Sequence, residues 1–211
     1  GGSGQMVYSM RIPPTKEDVS YYSALGILYN HVFKVVDLGL KTIYDFEGAE
    51  KQALALELSQ LVETTHPGMF GVTIRGIDSS AIDDLNKALS GGMRLIKIVA
   101  GVKGFYDHGK GELNSKKETF QNLQEMIEIL SSDKGNGVTV YVGSHNVPFI
   151  DRVRNVNEKN SHGATFINAV LHPSQIGLIK HLGTSTGVAV YYLVQMPCIS
   201  LDKIIEAGKY K

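Results

Sequence analysis

Apolar and polar positions follow two regimes along the chain, with the change near residue 69. Before it the spacing is helical. From Glu17 to Leu40, the residues Ser20, Ser23, Asn30, Lys34, Asp37 and Lys41 line up on one narrow polar stripe. Tyr22, Leu25, Leu28, Tyr29, Val32, Phe33 and Val36 fill the rest of the circumference, the pattern of a mostly buried helix. Thr15, ahead of Lys16-Glu17-Asp18, suits an N-cap with acidic residues in the first turn. A second amphipathic segment, Ala49 to Val62, puts Leu54, Leu58 and Leu61 on one face. The short "KTIYDF" between the two reads as a strand or a connection.

After Met69 the pattern alternates strand and helix. "FGVTIRG" precedes "SSAIDDLNKALSGG"; "MRLIKIVAGV" precedes, after a long polar loop, "KKETFQNLQEMIEILSS"; "VTVYVG" precedes "PFIDRVRNVN"; "GVAVYYLVQM" precedes "SLDKIIEAG". A further unit, "ATFINAVL" with "PSQIGLIKHLG", is ambiguous, because 164–171 also fits a buried helical turn. Repeated βα units predict an α/β fold with a mainly parallel open sheet of four to five strands, helices on both faces and right-handed crossovers. The expected organisation is an expression scar over 1–5, an N-terminal helical segment over 6–64 packed on the sheet, and an α/β domain over 69–211. "VAVYYLV" is apolar on both parities and "RLIKIVAGV" nearly so, which predicts central positions for the last strand and the second.

Composition narrows the class. The chain has 211 residues, 43% hydrophobic and 20% charged, which suits one soluble globular domain. "GGSGQ" ahead of Met6 carries no leader pattern, and the longest apolar run, Val188 to Val194, is far short of the roughly 20 residues that span a bilayer. One cysteine, Cys198, allows no internal disulfide and fits a reducing compartment, so a cytoplasmic protein with no membrane partner is expected. Residues 1–90 carry 7 basic and 11 acidic side chains, and 91–211 carry 14 and 10. The halves are therefore −4 and +4, without the dense basic stripe of a phosphate-tracking nucleic-acid binder; Arg152, Arg154 and Lys159 are the best candidates.

Ligands of open α/β sheets bind at the carboxyl ends of the strands, where loops and helix N-termini gather. Gly91, Gly92, Gly135, Gly137, Gly183 and Gly187 follow helices and belong to the opposite rim. Gly76, Gly101, Gly104, Gly109, Gly111 and Gly143 follow strands on the ligand rim. Three residues there suit acid–base chemistry: Asp107, His108 and His145. Arg75, Lys103, Lys110, Ser144, Asn146 and His172 suit ligand binding. Each has a structural alternative, since Ser144 and Asn146 also fit turns and caps, and His145 fits a loop hydrogen bond. The loop "KGFYDHGKGELNS", about 13 residues, is longer than the roughly 2 to 6 usual between strand and helix. Its "HGKG" suits a phosphate without the spacing of a Walker loop. Asp107, His108, His145 and His172 lack the close spacing of a metal motif, so no metal is assigned, and no cofactor is named.

Two readings follow from the residues. In one, the rim binds a phosphate-containing small molecule or nucleotide, with hydrolytic phosphoester chemistry. In the other, the chain is a non-enzymatic adaptor or scaffold acting through protein contacts of its N-terminal helices and the 103–115 loop.

Overall fold

A computed structural model describes residues 7–10, 21–45, 49–101, 111–144, 146–159, 162–170 and 188–190. The strands are β1 (Val7–Met10), β2 (Lys41–Tyr44), β3 (Phe70–Arg75), β4 (Leu95–Val99), β5 (Thr139–Gly143), β6 (Thr165–Val170) and β7 (Val188–Val190). The helices are α1 (Tyr21–Asp37), α2 (Ala49–Thr65), α3 (Ala81–Ser90), α4 (Lys116–Ser131) and α5 (Val147–Lys159). All seven strands join one sheet in the order β1-β2-β3-β4-β5-β6-β7, and every neighbouring pair is parallel.

The α/β class and the repeated βα units match the expectation, and "ATFINAVL" supplies a strand, β6. Three points differ. The sheet holds seven described strands rather than four to five, because the N-terminal part contributes β1 and β2 as well as helices. "VYSM" and "KTIY" are four residues each, too short for alternation to stand out from neighbouring helical patterns. The N-terminal segment is thus two further βα units of the same sheet, not a helical addition to it.

The second difference concerns the helices. Tyr44, Val72, Ile96, Val140 and Phe166 occupy one register row and lie in a single buried cluster with Val32 and Val36 of α1, Leu54 and Leu58 of α2, Leu85 of α3, Leu123 and Met126 of α4, and Phe149 and Val153 of α5. Since alternate strand residues face opposite sides, all five described helices cover one face rather than two. Same-handed crossovers between strands laid down in sequential order cannot reach the other side; a doubly wound sheet needs a reversal of order. Sequential parallel winding with helices on one face is that of (β/α) barrels, whose other face is filled by strand side chains.

Third, β4 is the middle strand as expected, but β7 ends the described order. Where one face is covered by helices and the other lies inside, an apolar run on both parities no longer separates central from terminal strands.

Local chemistry sets the element ends. Ser115 Oγ accepts from Glu118 N at 3.2 Å while the Glu118 carboxylate accepts from Ser115 N at 3.1 Å, a reciprocal cap that starts α4. Gly91 ends α3 with its N–H on Lys87 O at 2.9 Å, on the rim away from the carboxyl ends. Leu54 and Leu58 are buried, whereas Leu61, expected on the same face, is 46% exposed. Thr15, residues 11–20, 103–110, His145 and 171–187 lie outside the described residues, as do Cys198 and Ser200.

Candidate functional site

The face that no described helix covers carries a buried polar cluster. Thr73, Lys97, Tyr141 and Ile167 form one row across β3, β4, β5 and β6, and Asp45 follows β2 beside it. Lys97 Nζ donates to Asp45 Oδ1 at 2.7 Å and Oδ2 at 2.8 Å, and Thr73 Oγ1 donates to Asp45 Oδ1 at 2.5 Å. The Lys97 side chain is 5% exposed and that of Asp45 17%. Below this row, Ile43 and Leu95 pack with Tyr141, and Ile167 lies against them. The charged pair therefore stands on an apolar floor, one row short of the carboxyl ends at Arg75, Val99 and Gly143. Burial pushes the Tyr141 phenol up from its ordinary value, so it stays a protonated donor at neutral pH.

Arg75, at the carboxyl end of β3, sits in a second cluster. Its Nε and Nη2 donate to the two Asp78 oxygens at 2.9 and 2.6 Å, and its Nη1 lies 3.7 Å from Glu112 Oε1. Burial raises the Asp78 carboxyl, the Arg75 hydrogen bond and charge pull it back down, and Glu112 raises it further. Backbone bonds join the same two loops, Leu113 N to Ile77 O at 2.7 Å and Ser79 N to Gly111 O at 2.9 Å. Asn122 of α4 donates to Gly76 O and Asp78 O at 3.0 and 3.2 Å. Arg75 thus anchors the end of the long β4–α4 loop to the β3–α3 loop.

Ser144 and Asn146 stand on the rim after β5. Ser144 Oγ accepts from Asn146 N at 3.2 Å, and Asn146 Oδ1 accepts from Phe149 N at 3.0 Å, which caps the first turn of α5. The structure thus puts Arg75, Ser144 and Asn146 on the carboxyl-end rim, each engaged in local hydrogen bonds. Lys103, Asp107, His108, Lys110, His145 and His172 lie outside the described residues. Among the described residues no group of three or more His, Cys, Asp or Glu side chains could hold a metal ion, and no helix is long and apolar enough to cross a membrane.

The Asp45–Thr73–Lys97 cluster is absent from the sequence reading, yet a signal existed. Lysine is almost never buried unless paired, so Lys97 inside "LIKIV", a run otherwise apolar on both parities, called for a carboxylate partner. Which carboxylate could not be read, since Asp45 lies 52 residues away in the chain.

No family model matches the chain, and no curated protein matches it. Among solved structures it is similar to proline utilization A (PutA) from Bdellovibrio bacteriovorus inactivated by N-propargylglycine, with 16% identity, a TM-score of 0.69, and coverage of 87% of this chain and 22% of that one. It is also similar to a Bradyrhizobium japonicum PutA mutant, with 15% identity, a TM-score of 0.67, and coverage of 90% of this chain and 22% of that one. A PutA structure with proline bound in remote sites has 14% identity, a TM-score of 0.67 and the same two coverages, 90% and 22%. The chain therefore spans about a fifth of the length of these proteins, and at such identities the likeness establishes the parallel βα fold alone.

Proposed function

We propose that the chain binds a phosphate-containing small molecule or nucleotide over the carboxyl ends of its strands, with the helix-free face as the floor of the site. The observation that carries this reading is the Lys97–Asp45 pair, buried on an apolar floor one row below the rim. Replacing a buried ion pair by apolar side chains is often neutral or stabilising, so folding alone gives little reason for a charge there, and ligands of such sheets bind at this end. Lys103 and Lys110 on the β4–α4 loop supply cations for the phosphate. Asp107, His108 and His145 are the acid–base groups that hydrolysis of a phosphoester would use.

A thermal-shift panel of inorganic phosphate, nucleotides, sugar phosphates and L-proline tests the reading, proline being included because it is bound in one PutA structure of similar fold. A phosphate compound at 100 times its dissociation constant adds about 2.7 kcal/mol. Lys110→Ala and His145→Ala should each weaken its binding by roughly 1.5–3 kcal/mol, the worth of a charged hydrogen bond. Lys134→Ala, between α4 and β5 on the opposite rim, should leave binding intact. Stabilisation by proline with none from any phosphate compound would overturn the phosphate reading.

A further inference from the structure

We propose that Lys97 is an imine-forming lysine, whose Nζ attacks the carbonyl carbon of a small phosphorylated aldehyde or ketone. The proposal rests on the reading of the helix-free face as the ligand site and adds the substrate class to it. A lysine suits this chemistry where it is held on a rigid element, away from bulk water and beside a group that moves protons. Lys97 lies mid-strand in β4, its side chain is 5% exposed, and Asp45 holds its Nζ at 2.7 Å.

Gly143 stands in the row between Lys97 and the rim. It lies two residues beyond Tyr141, which is Lys97's neighbour on β5. A Cβ at Gly143 would stand 3.5 Å from Lys97 Cε and 2.8 Å from Val99 Cγ1. The clash a side chain would make is with Val99, Lys97 Cε lying at ordinary contact distance; glycine thus leaves β5 without a side chain in the row between Lys97 and the rim, where a phosphate would be held.

The step balances with the groups present. The Lys97 ammonium passes a proton to Asp45, and the Nζ lone pair forms the C–N bond as the carbonyl π pair moves to oxygen. Asp45 returns that proton to the oxygen and accepts another from the nitrogen. It then protonates the hydroxyl, which leaves as water while the C=N bond forms. One ammonium and one carbonyl become one protonated imine and one water, Asp45 ends as the carboxylate it began as, and no oxidant or reductant is consumed.

Borohydride trapping tests this on the full chain, with dihydroxyacetone phosphate and dihydroxyacetone as probes. The expected product is a single adduct of the probe's mass less one oxygen, mapped by peptide mass spectrometry to Lys97. It should form at least tenfold faster with the phosphorylated probe, be absent in Lys97→Arg, and form at least tenfold more slowly in Asp45→Asn. The wild-type peptide map decides the matter even if a variant folds poorly. Adducts spread evenly over Lys116, Lys117 and Lys134 would overturn the imine. If dihydroxyacetone phosphate raises the thermal midpoint yet gives no adduct, the imine fails while the ligand reading stands. If neither it nor any phosphate compound does either, both fail.

Discussion

Lys97 of β4 reaches across β3 to donate to both carboxylate oxygens of Asp45, at 2.7 and 2.8 Å, while Thr73 of the intervening strand donates to the same carboxylate. Three consecutive strands are thus tied by one acidic group on the helix-free face. Removing one partner strands the other as a buried charge, which costs about 3 kcal/mol or more. Asp45→Ala is expected to lower stability by about that amount in urea denaturation, whereas Asp45→Ala with Lys97→Met should recover roughly 2 kcal/mol of the summed single effects. Strict additivity would mean that the pair does not interact.

Two glycines in one short turn should respond by different amounts. A Cβ at Gly135 would lie 1.8 Å from Leu130 O, the carbonyl that accepts from Ala164 N at 2.8 Å, so the turn cannot yield without pulling α4 away from the entry to β6. A Cβ at Gly137 meets nothing within 4 Å, and only its φ of +76° opposes a side chain. Gly137→Ala should cost about 1–2 kcal/mol, the strain of a left-handed residue, and Gly135→Ala clearly more. Equal losses on denaturation would show that the close approach is not what selects glycine at 135.

How much of this was legible in the chain differs by element. "FGVTIR", "RLIKIV" and "VTVYV" declared their strands because apolar side chains recur at every second position or continuously over five or six residues. β1 and β2 were too short to do so, and the order of the strands, from which the one-sided placement of the helices follows, leaves no periodic trace in a sequence. The rim loops could be read because glycine and polar residues follow each strand. The interior cluster could not, since its members Asp45, Thr73 and Lys97 come from three separate units and only pairing brings them together. Arg75 looked available for an anion because it ends a strand on the ligand rim; its pairing with Asp78, and with Glu112 through the closure of the β4–α4 loop, appears only in the fold.

Asp84 gives a pH signature. Burial raises its carboxyl above the ordinary 3.8, while the Ser80 hydroxyl and the charge of Lys87 pull it back and Asp83 raises it further. A carboxyl whose folded value exceeds its unfolded value binds its proton more tightly in the folded chain. Its contribution to stability is therefore fully present below the unfolded value and lost as pH rises through the folded one. Asp84→Asn cannot ionise, so wild-type stability minus variant stability should fall as pH rises from below the unfolded value through the raised folded one. Urea titrations of both proteins at the two ends measure it, and a difference that grows with pH would contradict the burial argument.

The anchoring role of Arg75 predicts a local effect beyond a global one. The guanidinium fork holds Asp78 through two bonds at 2.9 and 2.6 Å and lies near Glu112, and the backbone pairing of 77–79 with 111–113 runs alongside it. Arg75→Lys keeps the charge but loses the planar two-point match to a carboxylate, and should cost roughly 1.5–3 kcal/mol in global stability. If the fork is what keeps the two loops together, the amides that pair them will open before the sheet does. Hydrogen exchange at Leu113 N and Ser79 N should accelerate more than at Thr165 N, which bonds to Val138 O at 2.9 Å on the opposite rim and opens only with the larger fold. Equal acceleration at all three amides would mean that Arg75 supports the domain as a whole and that the loop pairing holds without it.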